Sequence, residues 1–175
     1  VTGKSGIGLI SRFDAEGLDT IIAGEVKGFD PTDYMTRKEA RHTDRFAHLA
    51  VAAAREALQS ANLRIPDIDA DRAACIIASG IGGIVTLCKQ YDVLRERGPH
   101  RVSPFLVPMI LLNMASAQVS MLEGLRGVNF CPVSACSSGS DALSQGFELI
   151  RRGDADVVLA GGSEAPLCSL AVAGF

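Results

Sequence analysis

Short apolar strings alternate with amphipathic stretches along the whole chain. The run Ala73–Ala78 is apolar at every position, which predicts a strand covered on both faces. The amphipathic stretches repeat their apolar residues with a helical period. The predicted strands are residues 20–26, 73–78, 128–133 and 156–161, and the predicted helices are residues 36–61, 84–96, 103–122 and 137–152. This alternation predicts an α/β fold with a mostly parallel central sheet.

Local signals mark several of these boundaries. Thr36 and Glu39 have the spacing of a capping box, which predicts a helix start. A turn is predicted at residues 30–33, and Gly98-Pro99 ends the helix that precedes it. The helix over residues 137–152 is expected to bury one apolar stripe, formed by Ala142, Leu143, Gly146, Phe147 and Ile150.

The composition indicates a folded domain, because 47% of the 175 residues are hydrophobic and 21% are charged. Lys and Arg number 17 and Asp and Glu 20, so the net charge of -3 argues against broad binding to nucleic acid or membrane surfaces. No string reaches the ~18 apolar residues of a membrane span. Five cysteines without paired spacing favour a reducing compartment, so we expect a cytoplasmic protein.

Two glycine-rich segments are incomplete as nucleotide-binding loops. Gly3-Lys4-Ser5 lacks the earlier glycine and the preceding strand of a phosphate-binding loop. Residues 79–83 follow a strand but lack the Gly-x-Gly-x-x-Gly spacing and the acidic residue that binds a ribose. The cysteines and histidines match no metal-binding spacing. We therefore expect no nucleotide cofactor and no metal.

Cys136 is the candidate for chemistry. Residues 131–141 lead from a buried strand through a tight turn into a helix. Free amides at a helix start favour a thiolate, and small neighbours leave room for a substrate. An acyl thioester on this sulfur could place its carbonyl oxygen against backbone amides. On these residues alone, a reactive nucleophile and a buried structural cysteine remain equally open.

Residues 134–139, Ser-Ala-Cys-Ser-Ser-Gly, resemble the active-site segment of the β-ketoacyl-acyl carrier protein synthases, which belong to the thiolase superfamily. The similarity covers essentially the whole chain, and its nearest match is the type II elongating kind. Further blocks agree in order and spacing, at residues 5–7, 37–39, 79–83, 103–105, 113–114, 124–127 and 153–164.

The resemblance implies a thiolase-like fold, a five-layer α-β-α-β-α sandwich made of two similar halves. Residues 1–175 would form most of the N-terminal half, with the first strand and the entire C-terminal half missing. It implies decarboxylative condensation of an acyl thioester on Cys136 with malonyl-acyl carrier protein, without a cofactor, in a homodimer. The histidines that promote decarboxylation would lie in the missing half, so this fragment alone is expected to be inactive. None of His42, His48 and His100 lies in a matching motif.

The resemblance also implies binding roles. Ile81 would line the acyl pocket beside Cys136, and Leu106 and Ile110 would reach that pocket across the dimer interface.

Lys38, Arg41 and Arg101 would dock the acidic acyl carrier protein. Residues 36–45 hold four Arg or Lys against two acids, which suits a weak, salt-sensitive acidic partner. The alternative interpretation of these charges is the solvated start of a helix.

Four other functions are alternatives to fatty-acid elongation. A type II polyketide ketosynthase fits the same residues. A thiolase uses coenzyme A and needs no basic patch at residues 37–39. A non-catalytic partner resembling a chain-length factor lacks the nucleophile, which Cys136 supplies here. A cysteine hydrolase needs a histidine poised on Cys136, and no segment offers one.

Overall fold

A computed structural model describes residues 3–175 of the chain. At its centre is a parallel sheet of three strands in the order β4-β3-β5. The strands are β3 (Ala73–Ala78), β4 (Asn129–Phe130) and β5 (Val157–Gly162). A separate antiparallel hairpin pairs β1 (Ile7–Leu9) with β2 (Ile22–Gly24). The predicted parallel sheet is confirmed, whereas β1 has no counterpart among the predicted strands.

Helices cover both faces of this sheet. The α-helices of the described residues are α1 (Arg37–Arg41), α2 (Arg45–Ser60), α3 (Ile84–Arg97), α4 (Leu106–Ile110), α5 (Met114–Glu123), α6 (Ser138–Arg152) and α7 (Ser169–Gly174). Helices α5 and α2 contact each other and pack on one face of the sheet, while α6 packs on the other face, against β3 and β5.

Strand β3 is the centre of the core, and every residue in it is buried. Alternate side chains of a strand point to opposite faces. Cys75 and Ile77 join the cluster that contains Phe46 of α2, whereas Ile76 joins the cluster that contains Ala142 of α6. The continuous apolar run thus serves two cores at once, as predicted for a strand covered on both faces.

The predicted continuous helix over residues 36–61 is wrong, because the chain breaks between α1 and α2. The capping box of Thr36 and Glu39 does start α1, as predicted. Buried Asp44 then starts α2 by accepting a hydrogen bond from the Phe46 amide. The same carboxylate accepts bonds from the amide and the hydroxyl of Thr86 in α3. A helix passing through Asp44 would lose both contacts.

The predicted helix over residues 103–122 is also interrupted, at residues 111–113. Here α4 ends against the start of α3, where the Gly83 amide donates to the Ile110 carbonyl at 3.3 Å. A Cβ at Gly83 would lie only 2.3 Å from the Met109 carbonyl oxygen. Glycine permits this backbone contact, which joins α4 to the loop after β3.

Two more strand boundaries differ from prediction, and one strand differs in its burial. The strand expected over residues 128–133 pairs only at Asn129–Phe130, and the one over residues 20–26 only at Ile22–Gly24. Strand β5 was expected to be buried, but it lies at the sheet edge and is mostly half-buried.

The buried face of α6 also differs from the predicted stripe. Ala142 and Gly146 are buried as expected, together with Leu149. A Cβ at Gly146 would lie 3.1 Å from a methyl of Val158, so the helix rests on β5 at this glycine. The remaining members of the stripe lie exposed on an adjacent face, Leu143, Phe147 and Ile150.

We expect Asp44→Ala to lower the free energy of unfolding by about 2–4 kcal/mol, from the lost helix cap and the unsatisfied Thr86 donors. Asp30→Ala is the matched control, because exposed Asp30 caps a short turn through the amide and hydroxyl of Thr32. Urea unfolding of the full-length protein measures both. Equal, small losses for the two variants would contradict the structural role of Asp44.

Candidate active site

Three loops meet at one edge of the central sheet. Because β3, β4 and β5 are parallel, their carboxyl ends lie together, which is where ligands bind in open α/β sheets. The loops enclose an open cleft of about 400 Å³. Its lining comes from the loop after β3, the turn before α6, the loop after β5 and the end of the chain, and includes Gly80, Ile81, Ala135, Cys136, Glu164 and Phe175.

Cys136 lies in a tight turn, Ala135–Ser137, directly before α6. Ala135 has a φ of 52°, a left-handed conformation uncommon for a residue with a side chain. Buried Ser138 fixes the turn, because its hydroxyl accepts from the Ser134 amide at 2.9 Å and donates to the Ala135 carbonyl at 2.7 Å. The turn leaves Cys136 exposed in the cleft. Within this chain Cys136 is therefore exposed, whereas Cys75 is buried.

Two glycines place this turn over the sheet. A Cβ at Gly162, the last residue of β5, would lie 3.3 Å from the Cα atom of Gly139 in the first turn of α6. Helix and strand therefore meet backbone to backbone at this point. The contact holds the start of α6, and with it Cys136, beside the carboxyl end of β5.

The carboxylate of Glu164 binds the loop that forms the opposite wall of the cleft. This carboxylate accepts hydrogen bonds from the Ser79 hydroxyl at 3.0 Å, the Gly80 amide at 2.6 Å and the Ile81 amide at 3.0 Å. The sequence alone assigned no role to Glu164. The available signal was its position just after a predicted parallel strand, on the same sheet edge as residues 79–81.

The predicted acyl-pocket residues divide into two groups. Ile81 and Cys136 line the same cleft. Leu106 and Ile110 lie on α4, half-buried, and do not line the cleft of this chain. Helix α4 nevertheless packs on the loop that carries Ile81, through Gly82 and Gly83. The role of Leu106 and Ile110 across a dimer interface stays a prediction.

The predicted docking residues Lys38, Arg41 and Arg101 are all exposed. Across residues 3–175, none of them forms an ion pair with an acidic side chain. The ring of His42, which ends α1, stacks on Phe105 with centroids 3.7 Å apart. This stack brings the basic end of α1 close to the segment that follows Arg101.

Arg45, the fourth Arg or Lys within the basic patch of residues 36–45, makes structural contacts instead. Its guanidinium donates to the Val26 carbonyl at 2.8 Å and lies 5.3 Å from the centre of the Phe29 ring. It therefore ties the start of α2 to the segment after β2. The exposed positive charge of the patch comes from the remaining basic residues of α1, Arg37, Lys38 and Arg41.

No helix in the described part of the chain is long and apolar enough to cross a membrane. Across residues 3–175, no three His, Cys, Asp or Glu side chains converge as a metal ion would require.

Comparison with known proteins decides the family. The model of the β-ketoacyl synthase N-terminal domain matches residues 1–175. The chain belongs to the β-ketoacyl synthase family. The predicted family is thus confirmed, and with it the thiolase-like α/β fold.

Individual β-ketoacyl synthases agree with this assignment. The chain is 45% identical over 173 residues to 3-oxoacyl-(acyl-carrier-protein) synthase 2 of Staphylococcus aureus strain N315, covering 99% of this chain and 42% of that relative. It is 43% identical to the protein of the same name from a Synechocystis strain, with the same coverage. The chain therefore spans less than half the length of the curated relatives it matches.

Solved structures give the same result for the fold. The ishigamide ketosynthase/chain length factor matches with a TM-score of 0.89 and 28% identity, over 99% of this chain and 43% of that one. A β-ketoacyl synthase from Burkholderia phymatum matches with a TM-score of 0.83 and 28% identity, over the same shares.

We expect Cys136 to be alkylated first among the five cysteines. All five lie within the described residues, and Cys136 alone is exposed. Burial raises the pKa of the Cys75, Cys88 and Cys131 thiols, which leaves less reactive thiolate at neutral pH. Limiting iodoacetamide followed by peptide mapping of the full-length protein measures the order, with Cys136→Ser as the control. Preferential modification of Cys75 or Cys131 would contradict the assignment.

Proposed function

We propose that the protein containing this chain is a β-ketoacyl-acyl carrier protein synthase that elongates fatty acids. One observation carries the proposal: exposed Cys136 lies at the start of α6 and opens into a cleft shared with Ile81. The 45% identity to 3-oxoacyl-(acyl-carrier-protein) synthase 2 supports the same activity. We place the enzyme in the cytoplasm and expect it to need no cofactor.

The proposed first step is acyl transfer to Cys136. The thiolate sulfur attacks the thioester carbonyl of an acyl carrier protein, and the carrier's thiol leaves after taking up a proton. The acyl chain then lies in the cleft beside Ile81.

The proposed second step forms the new carbon-carbon bond. Malonyl-acyl carrier protein loses CO₂, and the resulting enolate carbon attacks the acyl carbonyl on Cys136. The Cys136 sulfur leaves as the thiolate, and the β-ketoacyl chain remains on the carrier protein. We assign the groups that promote decarboxylation to the part of the protein outside this chain, since none of His42, His48 and His100 lines the cleft.

We propose Lys38, Arg41 and Arg101 as contacts for the carrier protein. Their support is that they are exposed and form no ion pair with an acidic side chain of residues 3–175, on a chain whose net charge is -3. We further propose a homodimer in which Leu106 and Ile110 contribute to the partner's acyl pocket. The support for this role is that α4, which carries both residues, packs directly on the Ile81 loop.

A type II polyketide ketosynthase is the second candidate. The observation that favours it is the TM-score of 0.89 to the ishigamide ketosynthase/chain length factor. The two functions share the acylation of Cys136 and differ in product. A single two-carbon extension with each malonyl donor fits fatty-acid elongation, whereas repeated extension without reduction fits polyketide synthesis.

The test follows acyl transfer and condensation separately in the full-length protein. With acyl-carrier protein alone, intact-mass spectrometry is expected to show one acyl adduct that maps to Cys136. Addition of malonyl-carrier protein should release it as a β-ketoacyl product. Cys136→Ser is expected to abolish the product, whereas the matched control Cys131→Ser retains it. An undiminished product from Cys136→Ser would refute the proposed function.

The docking proposal predicts a selective effect of charge reversal. An exposed ion pair contributes ~0.2–1 kcal/mol, so Lys38→Ala or Arg41→Ala should raise KM for carrier-bound donors only a few-fold. Lys38→Glu with Arg41→Glu adds repulsion and should raise it about tenfold or more, with a weaker salt dependence. A reversal of exposed Lys4 and Lys27 is the control.

Acyl-coenzyme A donors complete this test. They lack the acidic carrier, so the double reversal at Lys38 and Arg41 should leave their KM nearly unchanged. An equal loss with both kinds of donor would assign the patch to the common pocket and end the docking proposal.

A further inference from the structure

Glu164 lines the cleft and its carboxylate accepts three hydrogen bonds, but it has no role in the proposed chemistry. Its three donors come from consecutive residues, Ser79, Gly80 and Ile81, and the two amides converge on the same oxygen. Successive amides directed at one anion form a nest. Hydrogen bonds to a charged acceptor are roughly twice as strong as neutral ones. The loop after β3 is therefore held from the side of β5.

Ser79 extends these hydrogen bonds to Gly82, near the end of the loop. The buried Ser79 hydroxyl donates to Glu164 and accepts from the Gly82 amide at 3.0 Å. On its other side the loop meets α4, because a Cβ at Gly82 would lie 2.7 Å from the Ile110 carbonyl oxygen. The loop is thus clamped between a carboxylate and a helix backbone. Without the carboxylate, the loop would keep the helix contact and the bond between Gly82 and Ser79 but would lose its attachment to the segment after β5.

The clamped loop faces the turn that carries Cys136. A Cβ at Gly80 would lie 3.7 Å from the Ala135 carbonyl oxygen, so the two backbones are near neighbours. Ile81 follows Gly80 and lines the same cleft as Cys136. A shift of the loop would therefore change the space beside the nucleophile.

We propose that Glu164 is a positioning residue that fixes Ile81 against the cleft and thereby sets which acyl chains reach Cys136. This inference rests on the proposed function, because it assigns an acyl chain to the cleft. Glu164 does not touch the reacting atoms in this scheme. It acts through the amides of Gly80 and Ile81.

The test compares acyl chain lengths in the full-length protein. Saturated short-, medium- and long-chain donors on acyl carrier protein are assayed for kcat/KM and for acylation of Cys136. Glu164→Ala should slow acylation by the preferred donor by ~10-fold or more, since a misplacement of about 1 Å can cost ~10²-fold. It should also flatten the preference among chain lengths.

Two further variants separate positioning from general stability. Glu164→Gln keeps an oxygen that can accept from the Gly80 and Ile81 amides, so it should restore most of the wild-type chain-length preference. Glu25→Ala is the matched control, because Glu25 accepts from the Ser11 amide, the Ser11 hydroxyl and the Arg12 amide in the hairpin region, outside the lining of the cleft. It should leave the preference unchanged.

The outcomes are distinct. An unchanged chain-length preference in Glu164→Ala, or equal flattening in Glu25→Ala, would overturn the inference, and so would a Glu164→Gln variant as impaired as Glu164→Ala. If Glu164→Ala does not fold, Glu164→Asp, one methylene shorter, must shift the preference in the same direction. A wild-type protein that is never acylated at Cys136 would instead refute the proposed function itself.

Discussion

The backbone contact between Gly139 and Gly162 is the constraint on which the candidate active site depends. A Cβ at Gly162 would lie 3.3 Å from Gly139 Cα, so larger residues would push the first turn of α6 away from β5. Gly146 repeats the close approach two turns later, against Val158. Because α6 packs this closely on the sheet, the turn before it lies at the carboxyl ends of the strands, and Cys136 lines the cleft.

The same sheet edge collects the rest of the site. Strand β3 delivers Ile81, and strand β5 delivers Glu164, whose carboxylate binds the amide of Ile81. Parallel strands make this convergence possible, since residues far apart in the sequence leave the sheet at one edge. The cleft wall formed by Ile81 and Glu164 is thus set by the register of β3 with β5.

The sequence correctly predicted elements that depend on residues close together in the chain. The apolar run Ala73–Ala78 identified β3, and Thr36 with Glu39 identified the start of α1. The break at Asp44 escaped prediction, because its cause is a hydrogen bond to Thr86, 42 residues further on. The role of Glu164 escaped for the same reason, since its donors lie more than 80 residues earlier.

The helix face of α6 shows a second limit. Period alone does not tell which of two adjacent apolar faces meets the sheet, and the choice falls to the close contact at Gly146. Leu143 and Phe147 consequently lie exposed. The chemistry proposed for Cys136 rests on the family resemblance, because neither period nor spacing indicates it.

A crystal structure of the full-length protein after reaction with acyl-acyl carrier protein tests the central claim most directly. The account predicts acyl density continuous with the Sγ atom of Cys136, with the chain beside Ile81 and the carboxylate of Glu164 still bound to the Gly80 and Ile81 amides. An acyl group on another cysteine, or a chain directed out of this cleft, would contradict it.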